Sequence, residues 1–466
     1  MIEAYLYSTK KHFYNLIVIV LTFAMTSAHA FNPYSTDELD QLEKEFVQQI
    51  NLSDQVARVP IATQYINHLG RELARAGHMH PPYFFIVKSN EINAFAGPGG
   101  YIGINTGLIL ATRNESELAA VMAHELSHVR LHHLYRAIQH EKQMRVPMLA
   151  SLLASIALGV IDPALASGAV MASLTGFAQD NINFTRSNEK EADRIGISML
   201  TTAGFDPRSM VTFFQKMQEN SRYYYTANIP AILRTHPLDA DRISEAENRI
   251  GEHSRKTVLD NLDYHLFKEL IRNEIYTNPK GSLDFYQSVC TKQNSQVACA
   301  YGKALTLLKM DAFIKTKAVL QPLLAQNPEN LFLQFAMVDA EIGCKEYKEA
   351  FARLQTLQTN YPDSYAVLMN YATGLSAMGQ NARATSILLK GFRQYKQDLT
   401  LCEALARAQA ASHQKAYAYF TESQCYLIQG RRFDALRQLN QAKLFAKTDR
   451  YLIARIDAMI DQIKSF

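Results

Sequence analysis

The sequence predicts two architectures in one chain: an α+β domain, mostly helical with a small β-sheet, followed by an all-α solenoid of short helical repeats. Three observations predict this. An apolar, helical stretch at 121–133, "VMAHELSHVRLHH", carries four histidines and a glutamate. Short β-branched and aromatic runs punctuated by glycine precede it, and after about residue 280 strand signals cease. At ~100–200 residues per domain, a chain of 466 residues holds more than one. With 48% hydrophobic and 20% charged residues it reads as globular rather than disordered.

The N-terminus reads as a targeting segment. Lys10 and Lys11 precede the apolar run "NLIVIVLTFAMTS", which closes on "AHA" at Ala30. That is the pattern of a secretory signal peptide at 1–30, cleaved after Ala30, so the mature chain is expected in an exported compartment. Residues 37–50 and 59–76 then show helical periodicity. "YFFIVKS" and "NAFAGPGGYIGINTG" read as short strands joined by tight turns at Gly97, Pro98, Gly99 and Gly100. Asn114 with Glu117 three residues on forms the capping-box pattern that opens the histidine-bearing helix.

That helix carries the chemistry. His124 and His128 are four apart and share a face, where two imidazole nitrogens suit zinc, and Glu125 lies beside them to take a proton from an attacking water. With 14 His in 466 residues, an H-E-x-x-H match is expected by chance only roughly 0.02 times. The domain therefore reads as a zincin-type metalloprotease, which needs a third protein ligand. The metzincin route is excluded, because Leu131 and Leu134 stand where a glycine and a third histidine are required. His132, four beyond His128, shares its face on helical spacing. A second acidic helix, "SNEKEADRIGISML" at 187–200, offers Glu189 as ligand and Asp193, on the same face, as the acid that orients a ligand imidazole, while Gly196 allows close helix approach. Glu191 is an alternative ligand that points off that face.

These residues resemble the metallopeptidase family of the CAAX prenyl proteases and HtpX-type membrane proteases. "HELSH", then "NEKEAD" at 188–193 and "THP" at 235–237, follow the family's order, and "NAFAGPGGYIGINTGLI" matches the strand and helix before its zinc helix. With a signal peptide and a helical-repeat tail, the chain is most similar to the family's soluble, exported branch. The resemblance implies His124, His128 and Glu189 as ligands of one zinc ion, Glu125 as general base and Asp193 behind a ligand. It places His236 and Arg242 where either stabilises the oxyanion of the tetrahedral intermediate, or where His236 takes the fourth zinc position and latches the enzyme off. It makes Gly100, Tyr101, Ile102, Gly103, Ile104 and Asn105 the edge strand that holds extended substrate. Its implied clients are outer-membrane β-barrel proteins, its implied partner the barrel-assembly machinery, and its location the periplasm.

Residues 146–178 are unusually apolar, but Asp162 and Pro163 split them into stretches short of the ~20 residues a spanning helix needs. A peripheral apolar hairpin in contact with membrane or substrate is expected. All five cysteines lie at 290 or later; Cys290 with Cys299 is the pair nearest in sequence, against the alternative of five buried thiols.

The solenoid rests on Pro328 and Pro362, 34 residues apart, each after a polar turn; 34 is the tetratricopeptide length. Gly379 and Gly430 are 51 apart, so further units read as degenerate, about four imperfect repeats in all. The expected division is signal peptide 1–30, metalloprotease 31–279 and repeats 280–466. Residues 31–279 hold 23 Lys and Arg against 28 Asp and Glu, a net of −5; residues 280–466 hold 23 against 15, a net of +8. A basic repeat surface favours acidic protein partners. No basic run interleaved with aromatics and no nucleic-acid motif is present, so no nucleic-acid partner is expected. Two functions follow: an endoprotease whose repeats recruit substrates, or an assembly scaffold acting through its repeats with hydrolysis latched off.

Overall fold

The computed structural model describes residues 35–140, 178–223, 231–251, 261–289 and 296–465. The expected signal segment, all but the last residue of the apolar run 146–178, and Cys290 lie outside these residues. No helix among the described residues is long and apolar enough to cross a membrane.

The first part is helical with one small sheet. α1 (Thr36–Leu52) starts at a full capping box between Ser35 and Glu38, and α2 (Pro60–Ala76) starts at a proline that pre-sets its first turn. Four short strands follow in sheet order β1-β2-β4-β3: β1 (Val56–Ala57), β2 (Phe84–Val87), β3 (Ala94–Ala96) and β4 (Ile102–Asn105). β2 and β4 run parallel, while β3 pairs antiparallel to β4 in the register Ala94↔Ile104, Phe95↔Gly103. The β3–β4 turn uses left-handed backbone at Gly99 (φ 68°) and Gly100 (φ 79°), which side-chain-bearing residues rarely adopt.

This order corrects the expectation for residues 100–105. Gly100 and Tyr101 are in the turn, and Ile102, Gly103, Ile104 and Asn105 form β4, which is paired on both sides. The edge strand beside it is β3. The "YIGI" pattern reads as a strand from sequence, but its neighbours are set by how the chain folds back.

α3 (Thr106–Ala111), α4 (Glu115–Arg130) and α5 (His133–His140) follow the sheet; α6 (Ala178–Ala203), α7 (Arg208–Tyr223), α8 (Ala231–Thr235) and α9 (Ala240–Ile250) complete this part. α10 (Leu262–Ile275) buries Tyr264, Phe267 and Ile271, and α11 (Pro279–Val289) follows it. One hydrophobic core runs from Ile66, Phe84 and Met122 through Phe267 to Tyr301 and Leu333 without interruption.

The C-terminal part is five helix pairs: α12 (Gln296–Lys309) with α13 (Phe313–Gln326), α14 (Leu331–Gly343) with α15 (Tyr347–Asn360), α16 (Tyr365–Ala377) with α17 (Asn381–Gln394), α18 (Leu399–Ala411) with α19 (Lys415–Ile428), and α20 (Arg432–Ala446) with α21 (Arg450–Lys464). Their turns repeat strictly. Left-handed backbone recurs at Asp311, Lys345, Gly379, His413 and Lys447, each 34 residues after the last. In the first four pairs the next amide bonds back to the carbonyl five residues earlier, as in Ala312 N to Leu307 O and Gln414 N to Gln409 O. Gly430, also left-handed, lies in a turn between pairs, half a period out of phase, so its 51-residue distance from Gly379 misled the sequence reading. There are five regular pairs among the described residues rather than about four imperfect ones. Cys402 and Cys425 form a disulfide between α18 and α19; Cys299 is also disulfide-bonded, and Cys344 is free.

The repeats dock on α2. Gln64 Oε1 accepts from Ser364 Oγ (2.8 Å) and Ala366 N (2.9 Å), and Ile61 packs against Phe335, Leu357 and Val367.

Candidate metal centre

α4 opens at Asn114, whose side chain accepts from Glu117 N at 2.9 Å. Glu117 does not return the bond to Asn114; its carboxylate accepts from Arg113 N at 2.8 Å, one residue earlier. The helix is buried along most of its length, so His124 and Glu125 are polar groups in an apolar wall, 5% and 1% exposed. Such groups are costly unless paired. α6 runs against α4 and supplies the partners. The helices are close at Gly196, where a β-carbon would just touch Ala123 C and His124 N at 3.4 Å and would crowd the end of Met210 at 3.1 Å.

One donor atom each from His124, His128, Glu189 and His236 lies within 4.8 Å of all the others. His124 Nε2 is 3.0 Å from His128 Nε2 and 3.3 Å from His236 Nδ1. Glu189 Oε1 is 3.0 Å from His236 Nδ1 and 3.4 Å from His128 Nε2. A tetrahedron with zinc–ligand bonds of ~2.0–2.1 Å has edges of about 3.3 Å, so this donor set fits zinc. Its electrostatics call for a cation. Although burial works against charge, Asp193 and Glu189 lift His124 to about 10, and Glu189 and Glu125 raise His236. Against burial, His236 and His124 hold Glu189 well below the carboxylate range. His128 is pushed down by burial and by His124.

Behind the donors, Asp193 Oδ1 lies 2.9 Å from His124 Nδ1. Glu125 Oε1 has no hydrogen-bond partner among the described residues and lies 3.5 Å from His236 Nε2. A buried carboxylate oxygen facing the donors is placed to exchange protons there.

Arg242 corrects an expectation. Its Nε and Nη2 donate to the two oxygens of Asp193 at 2.7 and 2.9 Å, and its Nη1 donates to Pro237 O at 2.7 Å and stands 3.0 Å from Glu189 Oε2. With 2% exposure and all three nitrogens engaged, it is turned toward the buried carboxylates and holds them in place. His132 departs from its helical-spacing expectation too: α4 ends at Arg130, and His132 takes left-handed backbone (φ 53°). Glu191 joins no donor cluster. The turn instead brings His133, which sequence reasoning missed, against His128; helical spacing carries no signal past the helix end.

With the geometry in place, the comparisons with known proteins agree. Residues 60–250 match the model of peptidase family M48. The beta-barrel assembly-enhancing protease of Escherichia coli strain K12 is 34% identical over 436 residues, 91% of this chain and 87% of that protein. That of Yersinia pestis is 33% identical over 426 residues, 90% of this chain and 87% of its own. The chain belongs to peptidase family M48. The mitochondrial metalloendopeptidase OMA1 of Bos taurus is 28% identical over 171 residues, 36% of this chain and 32% of that protein. As an M48 peptidase with a His-His-Glu-His cluster, the chain is a zinc metalloendopeptidase.

Proposed function

We propose that this M48 peptidase is a periplasmic endoprotease that hydrolyses misfolded or stalled outer-membrane proteins and aids outer-membrane protein assembly, its repeats binding substrate or the assembly machinery. The catalytic part rests on four donor atoms converging beside Glu125, whose Oε1 is buried with no hydrogen-bond partner among the described residues. His124, His128 and Glu189 hold the zinc, and Asp193, fixed by Arg242, orients His124 through its outer nitrogen. When bound, zinc acidifies the attacking water and polarises the scissile carbonyl. Glu125 takes that water's proton and returns it to the leaving amide nitrogen.

His236 is a latch. It stands 3.0 Å from Glu189 Oε1 and 3.5 Å from Glu125 Oε1, within the space the reacting carbonyl needs. α8, which leads into it, donates Ile232 N to Ile92 O at 3.0 Å, just before β3. Extended substrate adds to the free edge of β3 by backbone pairing, and entry there loosens this contact.

Client class and location draw support from the relatives' names and from the signal pattern ending at Ala30. The 34-residue period supports tetratricopeptide repeats from residue 280 onward, with 31–279 as the peptidase and α10 as the shared wall. A cavity of about 850 Å³ between α1 and the late repeats, lined by Phe392, Leu427, Arg393 and Lys396, supports substrate binding by the repeats.

The test pairs metal content of the purified mature chain with casein cleavage, for wild type, Glu125→Gln and His236→Ala. About one zinc per chain is expected, with cleavage lost by ~10²–10⁴-fold in Glu125→Gln and raised in His236→Ala. A wild type without bound metal would sink the zinc-site reading. Unchanged or weaker cleavage in His236→Ala would remove the latch.

A further inference from the structure

The two histidines of the H-E-x-x-H motif are supported differently. His124 turns its outer nitrogen, Nδ1, to a carboxylate, Asp193, at 2.9 Å. The outer nitrogen of His128 instead meets a third imidazole: His128 Nδ1 lies 2.9 Å from His133 Nδ1, with the rings edge-on at 72°. His133 is 5% exposed, and its Nε2 lies 3.6 Å from Glu191 Oε2. Arg136 Nη1 stands 3.8 Å from the same oxygen.

From this geometry we infer that His133 is a positioning residue for the zinc ligand His128, and that the Glu191 carboxylate, beyond hydrogen-bond distance, favours through its charge the tautomer with the proton on His133 Nε2. The inference rests on the reading of His128 as a ligand. With Nε2 of His128 turned toward the donor cluster, its one proton sits on Nδ1 and is donated to His133. His133 therefore accepts through Nδ1 and carries its own proton on Nε2, facing Glu191. The proton positions on His128 and His133 are both set by this single requirement.

The consequence is an unequal pair of ligands. Asp193 is an anion gripped by Arg242 through two hydrogen bonds, so His124 is held rigidly. His133 is a neutral acceptor carried on α5, and Glu191 is partly exposed. α5 is also tied to the β3–β4 turn, where Gly99 N donates to Tyr135 OH at 2.9 Å. The His128 arm of the site thus depends on where α5 sits, whereas the His124 arm depends on the buried α4–α6 contact.

The test is zinc affinity of the purified mature chain by chelator competition, with thermal stability of the metal-free form as the folding control. His133→Phe keeps the ring volume and removes the acceptor; His133→Gln keeps an acceptor; Glu191→Gln removes the charge facing His133 Nε2. Zinc binding weakened by about 10–100-fold in His133→Phe, restored most of the way in His133→Gln and reduced to a smaller extent in Glu191→Gln is expected. In the zinc-loaded wild type, nitrogen NMR of the imidazoles is expected to place the His133 proton on Nε2 and the His128 proton on Nδ1. Unchanged affinity in His133→Phe, or a His133 proton found on Nδ1, would overturn the relay. Equal losses in His133→Phe and His133→Gln would reduce His133 to packing. His128→Ala separates the two claims: if it abolishes zinc binding while His133→Phe leaves it intact, the site stands and the relay falls, and if it has no effect the ligand reading itself fails.

Discussion

The peptidase half and the repeat half are built on opposite principles. Around the metal centre, individual side chains carry the structure: Arg242 grips Asp193, and Asp193 meets His124. In the repeats the backbone carries it. The left-handed turn position recurs every 34 residues, yet aspartate, lysine, glycine, histidine and lysine occupy it in turn. Buried charges tolerate no substitution because each needs its own counterpart, while stacked helices need only apolar surface at the right spacing.

This contrast is open to attack, beginning with the largest effect. Arg242→Leu is expected to cost about 3–5 kcal/mol in denaturant unfolding, because it leaves Asp193 and Glu189 buried without their cation. It is also expected to weaken zinc binding. A cost under ~1 kcal/mol would mean the carboxylates relax to solvent and the side-chain account of this half is wrong. Replacing Cys402 and Cys425 together by serine opens a loop of sequence separation 23 and is expected to cost about 3 kcal/mol. Because the loop lies within the repeats, cleavage of a short peptide should stay unchanged while the thermal transition of the repeats falls. Loss of peptide cleavage would show that the uninterrupted core through Phe267 and Leu333 couples the halves more tightly than this contrast allows. Smallest is His413→Gly, at a left-handed position with φ 61°. Relief of backbone strain is expected to raise stability by about 0.5–1 kcal/mol, and a loss would mean the histidine side chain, not the turn, matters there.

Legibility in the sequence follows the same line. His124 with His128 and Glu189 with Asp193 were readable because helical periodicity puts residues four apart on one face, and both segments are helices. His133 was not, because α4 stops at Arg130 and the turn at His132 breaks the periodicity that extrapolation relies on. The position of Arg242 is not legible because a basic residue shortly after His236 looks the same in sequence whether its guanidinium faces substrate or is buried against two carboxylates. Likewise the repeat period was visible at Pro328 and Pro362 but lost at Gly379 and Gly430, because glycine marks left-handed backbone only where glycine happens to fill it.

By itself, the sequence determined the local chemistry of this protein: the helices, the short strands, the histidine pair of the H-E-x-x-H motif, the acidic helix and a 34-residue rhythm. These depend on periodicity and residue type within a dozen positions. The tertiary structure alone decided that β3 rather than β4 lies at an edge of the described sheet, that His236 joins the donor cluster, that Arg242 faces inward and that His133 meets His128. Each of these is a contact between segments far apart in the chain or across a turn, and such contacts are set by the packing of whole elements, which local pattern does not encode.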